Sequence, residues 1–252
     1  MTVTSLVGPD GDVHAYAPAP RDSEILSNAD LVVENGLSLD SGFARLGAAA
    51  GFKGPVIIAS SGVTPRFLRD KDPSLPDPHA WQDVSNARLY VKNIAKALSD
   101  ARPDEALFFQ KRAATYDAEL ARLDAWVRTE INAVPLAQRK IITSHDSFGY
   151  FGAAYGVTFL APQGLSPEIP PTATQIATLI DQIKAQKISR IFFENKTNAQ
   201  LATQLAKDTK ASLGSPLYAD SLSQADGPAA TYISLFHYNV TRFKEAMLLN
   251  GK

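Results

Sequence analysis

Cysteine is absent from this chain of 252 residues. Disulfide bonds, thiolate metal sites and cysteine nucleophiles are therefore excluded. A surplus of either charge is also missing, because 25 Lys and Arg residues nearly balance 26 Asp and Glu residues and give a formal net charge of −1. A balanced chain lacks the electrostatic attraction that nucleic acid or an anionic membrane surface requires, so we expect no nucleic-acid partner.

Long apolar runs and export signals are missing as well. No apolar stretch approaches the roughly 18 residues of a membrane-spanning helix, so we expect no membrane insertion. The first residues of the chain, 1–4, show neither the basic region nor the apolar region of a signal peptide. This predicts a cytosolic protein or one whose export signal was removed. Two N-glycosylation signals, beginning at Asn195 and Asn239, lie in predicted regular structure, and we interpret both as chance matches.

The chain does contain short β-rich runs that alternate with amphipathic segments, in a composition that is 45% hydrophobic. This alternation is typical of βαβ units, so the sequence predicts an α/β fold with parallel sheets. At about 150 residues per domain, 252 residues fit one large or two modest domains. The predicted strands span residues 2–7, 31–34, 56–60, 140–144, 157–160, 190–194 and 215–218. The predicted helices span residues 22–28, 85–99, 147–155, 172–186, 198–210 and 229–249, and the Pro-rich segment 64–78 is predicted to be an irregular loop.

The middle of the chain predicts one helix of unusual length. Pro103 and the two acidic residues after it form a suitable helix start, and apolar residues then recur every three or four positions from Ala113 to Val134. This stripe predicts a helix of about thirty residues, roughly 45 Å long at 1.5 Å per residue. Because that length exceeds what one short strand needs, we interpret the helix as a rigid strut between two α/β lobes. The expected domains are an amino-terminal lobe at 1–100, a connecting helix at 101–135 and a carboxy-terminal lobe at 136–252.

Only four histidines occur, and three of them lie in comparable positions. His14 and His79 share the pattern Asp-x-His-Ala-aromatic, His145 directly follows an apolar strand, and Asp220 follows another. All four side chains are expected at or beyond the carboxyl end of a strand, the edge where open parallel sheets bind ligands. Three imidazoles and one carboxylate can form a tetrahedral site for a borderline divalent cation. A second interpretation stays open, in which these residues are hydrogen-bonded loop histidines and a capping carboxylate; His237, in the last helix, is assigned to packing.

Four segments of the chain, taken in order, resemble the metal-ligand segments of the cluster A-I binding proteins, the zinc and manganese receptors of bacterial ABC importers. The core motifs of these segments are Asp12-Val13-His14-Ala15-Tyr16, Asp77-Pro78-His79-Ala80-Trp81, Thr143-Ser144-His145-Asp146 and Tyr218-Ala219-Asp220-Ser221. The resemblance extends over nearly the whole chain. It implies two α/β lobes joined by one long helix, with a metal in the cleft between the lobes. The implied metal ligands are His14, His79, His145 and Asp220.

The residue at the third ligand position distinguishes zinc-type from manganese-type members of the family. Manganese-type members typically carry Glu there and zinc-type members His, so His145 resembles the zinc branch, and nitrogen ligands favour zinc over the harder manganese. The resemblance therefore implies a periplasmic, monomeric, non-enzymatic protein that binds Zn²⁺ with high affinity and delivers it to an ABC transporter permease. Two alternatives stay open: a manganese or iron receptor on the same scaffold, and a zinc hydrolase in which Asp146 or Glu168 acts as a base.

Two features depart from the family pattern. Family members normally begin with a strand and a helix ahead of the segment that resembles residues 3–7, so we expect an amino-terminal lobe that lacks this first strand and helix. Zinc-type members often carry a His-rich loop before the second ligand, whereas residues 62–78 contain no His. A metal-gathering role for that loop is therefore not expected. The carboxylates that could orient the ligating histidines are Asp12, Asp77, Asp146 and Glu194.

Overall fold

The computed structural model describes residues 1–9, 11–14, 16–40, 43–68, 72–162, 164, 171–194 and 199–251. The chain divides into two compact units. The amino unit comprises Met1–Gly8 and Ala15–Arg122, and the carboxy unit comprises Pro9–His14 and Leu123–Lys252. The boundary between residues 122 and 123 falls inside a helix of 27 residues, Ala106–Asn132.

The amino unit contains two small sheets. The first is a parallel pair, β1 and β2, with Val32 opposite Val56, and the second is an antiparallel pair, β3 and β4. Helix α3 begins where the Asp83 carboxylate accepts a hydrogen bond from the Ser85 amide, which satisfies one of the free amides of the first turn. The elements, in order, are α1 (Pro20–Ser27), β1 (Val32–Glu34), α2 (Phe43–Ala49), β2 (Val56–Ile58), β3 (Phe67–Leu68), β4 (Asp72–Pro76), α3 (Val84–Ala101) and the start of α4 (Ala106–Asn132).

The carboxy unit is built on one parallel sheet of four strands in the order β6-β5-β7-β8. Helices connect the strands, as parallel pairing requires. After the end of α4, the elements are β5 (Lys140–Ile142), α5 (Gly149–Tyr155), β6 (Thr158–Leu160), α6 (Ala173–Gln186), β7 (Arg190–Ile191), α7 (Ala199–Thr209), β8 (Ser212–Leu213) and α8 (Tyr232–Met247). Short 3-10 turns lie at Ala80–Gln82 and Pro103–Glu105 in the amino unit and at Leu136–Gln138 in the carboxy unit.

An aromatic cluster holds α8 against the sheet of the carboxy unit. The ring of Phe243 in α8 is fully buried. Its centroid lies between 5.3 and 6.2 Å from those of Phe148, Phe151, Phe159 and Phe192, all in edge-to-face arrangement. Edge-to-face pairs add to the stabilisation that burial of the rings already provides. Phe243 therefore connects α8 to α5, β6 and the end of β7.

An aliphatic cluster packs α6 and α7 against the other part of this sheet. The members from each helix are three or four positions apart, the spacing expected of a helix that covers a sheet, and the other members lie in or next to the strands. The members are Ile142, Leu179, Ile183, Ile188, Ile191, Ala202 and Leu205.

Local sequence signals fix where the helices of the carboxy unit begin and end. The hydroxyl of Thr172 accepts a hydrogen bond from the Gln175 amide at the start of α6, and Thr231 accepts one from Ser234 at the start of α8. In both cases the third residue of the helix bonds back to the Thr amide, which completes a capping box. Helix α5 ends at Gly156, whose φ of 71° lies in the left-handed region that glycine tolerates best.

The predicted long helix is confirmed as α4. It begins at Ala106 rather than at Pro103, because Pro103–Glu105 form a 3-10 turn ahead of it. Val127 and Ile131 of the predicted apolar stripe are fully buried, whereas Phe108 near the helix start is 58% exposed. No helix among the described residues, α4 included, combines the length and apolar character needed to cross a membrane.

The predicted α/β class with parallel sheets is confirmed, and six predicted helices correspond to α1, α3, α5, α6, α7 and α8. Five predicted strands correspond to β1, β2, β5, β6 and β7, although all five are shorter than expected. Residue 198, the predicted start of α7, lies outside the described residues.

Two predicted strands are wrong. Residues 2–5 are exposed, and residues 2–7 form no ladder with any described strand, because a β-rich run becomes a strand only where a neighbouring strand offers hydrogen bonds. The strand predicted at residues 215–218 lies earlier, as β8, and only Leu217 forms an isolated bridge, to Glu194. The irregular loop expected at residues 64–78 contains the β3–β4 hairpin, and the sequence did not predict α2.

We expect Phe243→Ala to lower the free energy of unfolding by about 3–5 kcal/mol, because it removes a buried ring from the centre of the aromatic cluster. Urea titration followed by circular dichroism would measure the change. Phe108→Ala is the matched control, and its effect should stay within about 0.5 kcal/mol because that ring is largely exposed. Equal losses in the two variants would contradict the assigned core.

Candidate metal centre

Three of the four predicted ligands come together in the carboxy unit. The possible ligand atoms of His14, His145 and Asp220 all lie within 4.8 Å of one another. The Asp220 carboxylate is 3.1 Å from Nε2 of His145 and 3.7 Å from Nε2 of His14. Two imidazole nitrogens and a carboxylate oxygen that converge in this way are donors for a divalent transition-metal ion.

His14 is placed by a turn. The carboxylate of Asp12 accepts a hydrogen bond of 2.9 Å from the His14 amide, two residues further along the chain. Asp favours such turns because its short side chain can bond to its own backbone. The side chain of His14 is 9% exposed, so the turn delivers a largely desolvated imidazole.

His145 follows strand β5 by three residues and is fully buried. Its carbonyl accepts hydrogen bonds from the Thr143 hydroxyl at 2.9 Å and from the Ser147 amide at 3.1 Å. On the imidazole, Nδ1 lies 3.5 Å from the carboxylate of Glu194, while Nε2 faces Asp220. A carboxylate on Nδ1 directs the lone pair of Nε2 toward a metal.

Asp220 lies beyond β8, in a segment that bends at residues 219 and 220. This segment is held at Leu217, whose amide donates a 2.8 Å hydrogen bond to the carbonyl of Phe193. The Asp220 side chain is 12% exposed. A carboxylate this deeply placed requires cationic or hydrogen-bonding partners, because desolvation disfavours its charged form.

His79 belongs to the amino unit, where it is fully buried. Its Nδ1 lies 2.8 Å from the Asp77 carboxylate, which also accepts a 3.0 Å hydrogen bond from the His79 amide. An ionised carboxylate can only accept a hydrogen bond, so Nδ1 is the donor in this contact, and in a neutral imidazole Nε2 is then the nitrogen that carries the lone pair. The carbonyl of Pro78 accepts a further bond from Asn35, and the other oxygen of Asp77 lies 3.9 Å from Arg66.

The electrostatics of His145 are dominated by its neighbours. Burial lowers the pKa of its imidazole, but the carboxylates of Asp220 and Glu194 outweigh burial and raise the pKa well above the usual 6.5. The metal-free carboxy unit therefore favours a proton on His145. A metal ion that binds there must displace this proton.

The expected strand-end placement is right for His145 and wrong for His14, because none of the described residues before His14 forms a strand. His79 follows β4, but that strand is antiparallel, so its end is not the carboxyl edge of a parallel sheet. His237 packs against Trp126 with ring centroids 4.1 Å apart, which agrees with its assignment to packing. Glu168, a base considered for the hydrolase alternative, lies outside the described residues.

Residues 1–246 match the family described as zinc-uptake complex component A, periplasmic, or ZnuA. The chain belongs to the ZnuA family. Membership of the cluster A-I binding proteins is thereby confirmed. As a ZnuA-family member, the chain is a periplasmic metal-binding component of an ABC transporter and not an enzyme.

Relatives of this ZnuA-family chain are named for three different metals. Iron-binding protein YfeA of Yersinia pestis is 34% identical over 239 residues, which cover 94% of this chain and 76% of YfeA. The manganese ABC transporter substrate-binding lipoprotein PsaA of Streptococcus pneumoniae is 30% identical over 250 residues, covering 96% of this chain and 81% of PsaA. The structure of the periplasmic zinc-binding protein TroA of Treponema pallidum has a TM-score of 0.90 at 28% identity, covering 96% of this chain and 89% of TroA.

In the metal-free ZnuA-family protein, we expect His145 to titrate above pH 6.5, and Asp220→Asn to lower that pKa. The charged imidazole then stabilises the fold fully below pH 6.5, and this contribution is lost as the pH rises through the raised pKa. NMR titration of the histidine ring signals would measure both values. A pKa at or below 6.5, or one that Asp220→Asn leaves unchanged, would contradict the described electrostatics.

Proposed function

We propose that this protein is a high-affinity zinc receptor that binds Zn²⁺ through His14, His79, His145 and Asp220. It captures the ion outside the cytoplasmic membrane and delivers it, as a monomer, to the permease of an ABC importer. The ion is cargo, so the protein needs a complete set of ligands and no catalytic base.

The convergence of His14, His145 and Asp220 carries this proposal. The buried imidazole of His145 and the largely buried imidazole of His14 face one carboxylate at 3.1 and 3.7 Å, an arrangement that offers three ligand atoms to a cation. The other interpretation of the sequence is that these are hydrogen-bonded loop histidines. Such histidines would not need to converge on the same carboxylate. His79 is the fourth ligand in the proposal because the Asp77 carboxylate on Nδ1 orients its ring, as a carboxylate does for a metal-binding histidine, with Nε2 as the proposed ligand atom.

The donor set favours zinc over manganese and iron. Three imidazole nitrogens and one carboxylate oxygen match the tetrahedral N/O sites of zinc, whereas manganese prefers a larger number of oxygen ligands. A manganese or iron receptor is the second candidate, since PsaA is named for manganese and YfeA for iron. His145 is the residue on which the choice depends, because it contributes nitrogen where a carboxylate would suit the harder ions.

We expect one zinc ion per chain after equilibration with equal zinc and manganese, and lower zinc affinity in the four variants in which a proposed ligand becomes Ala. Each replacement removes one of four donors. Metal analysis after gel filtration gives the stoichiometry, and chelator competition gives the affinities. His237→Ala is the control with unchanged binding, because this imidazole packs against Trp126. Binding at full strength by both His79→Ala and His145→Ala would refute the ligand assignment.

We expect His145→Glu to shift selectivity toward manganese by replacing one nitrogen donor with a negative oxygen donor. Zinc can remain the tighter ligand in absolute terms, because zinc stands above manganese in the Irving–Williams order. The informative quantity is therefore the ratio of the two dissociation constants, measured by competition titration. An unchanged ratio would show that His145 does not set the selectivity.

A further inference from the structure

Asn239 is a buried polar residue of α8, only 2% exposed, and no proposed ligand lies on that helix. The sequence marks it as the start of an N-glycosylation signal, but a side chain buried in this way cannot carry a glycan in the folded protein. Buried amides are retained where both their donor and their acceptor are satisfied. The hydrogen bonds of Asn239 therefore indicate its role.

Both of the hydrogen bonds described for this side chain go to one residue, Tyr218. Nδ2 of Asn239 donates to the Tyr218 carbonyl at 2.7 Å, and Oδ1 accepts from the Tyr218 amide at 3.2 Å. Two bonds in opposite directions fix the rotation of the backbone as well as its position. The side chain thereby supplies at Tyr218 the pairing that a neighbouring strand would otherwise supply.

Tyr218 lies two residues before Asp220, in the segment that brings this carboxylate to His14 and His145. Strand β8 ends at Leu213, and among the described residues only the isolated bridge between Leu217 and Glu194 pairs this segment with the sheet. On the sheet side, the segment is held by the bond from the Leu217 amide to Phe193. Asn239 holds the next residue from the helix side.

We propose that Asn239 is the positioning residue for the ligand Asp220. By clamping the backbone of Tyr218 to α8, it sets the direction in which the following two residues present the carboxylate. This inference rests on the proposed function, since it assigns Asn239 to the metal site that Asp220 helps to form. It predicts that the geometry of the site depends on a residue outside the proposed set of ligands.

A merely structural role is the rival explanation, and the chain offers a matched control for it. Asn250 is also in the carboxy unit, is 3% exposed, and clamps backbone in a similar way. Its Nδ2 donates to the carbonyls of Gln138 and Lys140, and its Oδ1 accepts from the Ser189 amide. Asn250→Ala therefore loses at least as many backbone bonds as Asn239→Ala, but at the start of β5 and β7 instead of beside Asp220.

The experiment compares Asn239→Ala, Asn239→Asp and Asn250→Ala with the unsubstituted full chain. Zinc affinity is measured by chelator competition, and the visible absorption of bound Co²⁺ reports the geometry of the ligands independently of affinity. We expect Asn239→Ala to weaken zinc binding by about tenfold or more and to change the Co²⁺ spectrum. Asn250→Ala should retain the affinity and the spectrum, whatever its loss of thermal stability.

Asn239→Asp keeps the size of the side chain and the acceptor for the Tyr218 amide, but loses the donor to the Tyr218 carbonyl. Its added negative charge would by itself favour a cation, so weaker zinc binding can be assigned to the lost donor. This variant decides the question if Asn239→Ala does not fold. Normal affinity and spectrum in the Asn239 variants, or equal weakening in Asn250→Ala, would overturn the inference, whereas a wild-type chain that binds no metal would refute the proposed function itself.

Discussion

The Asp220 carboxylate faces two imidazoles where little of its side chain is exposed to solvent, and the proposed metal binding depends on that contact. With 12% of its side chain exposed, Asp220 lies 3.1 Å from His145 and 3.7 Å from His14. A carboxylate placed in this way needs a positive partner. A proton on His145 provides one in the metal-free state, which is why the pKa of that imidazole is raised. A divalent cation would replace the proton and use all three groups as ligands.

Loops and turns, supported by buried carboxylates and amides, hold these side chains in place. Asp12 fixes the backbone of His14, Asp77 fixes the ring and the backbone of His79, and Glu194 faces Nδ1 of His145. Asn239 holds the segment that ends in Asp220. These contacts orient the proposed ligands before an ion arrives.

The sequence predicted the parts of the protein that depend on local pattern. The apolar stripe along α4 and the Asp-x-His motifs are local, and the structure contains the corresponding helix and turns. Residues 2–7 are rich in the β-branched residues typical of strands but pair with no strand among the described residues, which a local pattern cannot reveal. The β3–β4 hairpin was missed because the prolines of β4 argue against a strand. The role of Asn239 could not be predicted either, because its partner is 21 positions away and meets it only in the folded chain.

The central claim is that three imidazoles and one carboxylate bind a single zinc ion. A crystal structure of the zinc-loaded full chain, with anomalous diffraction recorded at the zinc edge, tests it most directly. The account predicts one strong peak at about 2.0–2.2 Å from nitrogen atoms of His14, His79 and His145 and from a carboxylate oxygen of Asp220. A peak at a different set of residues, or one that His79 does not reach, would contradict it.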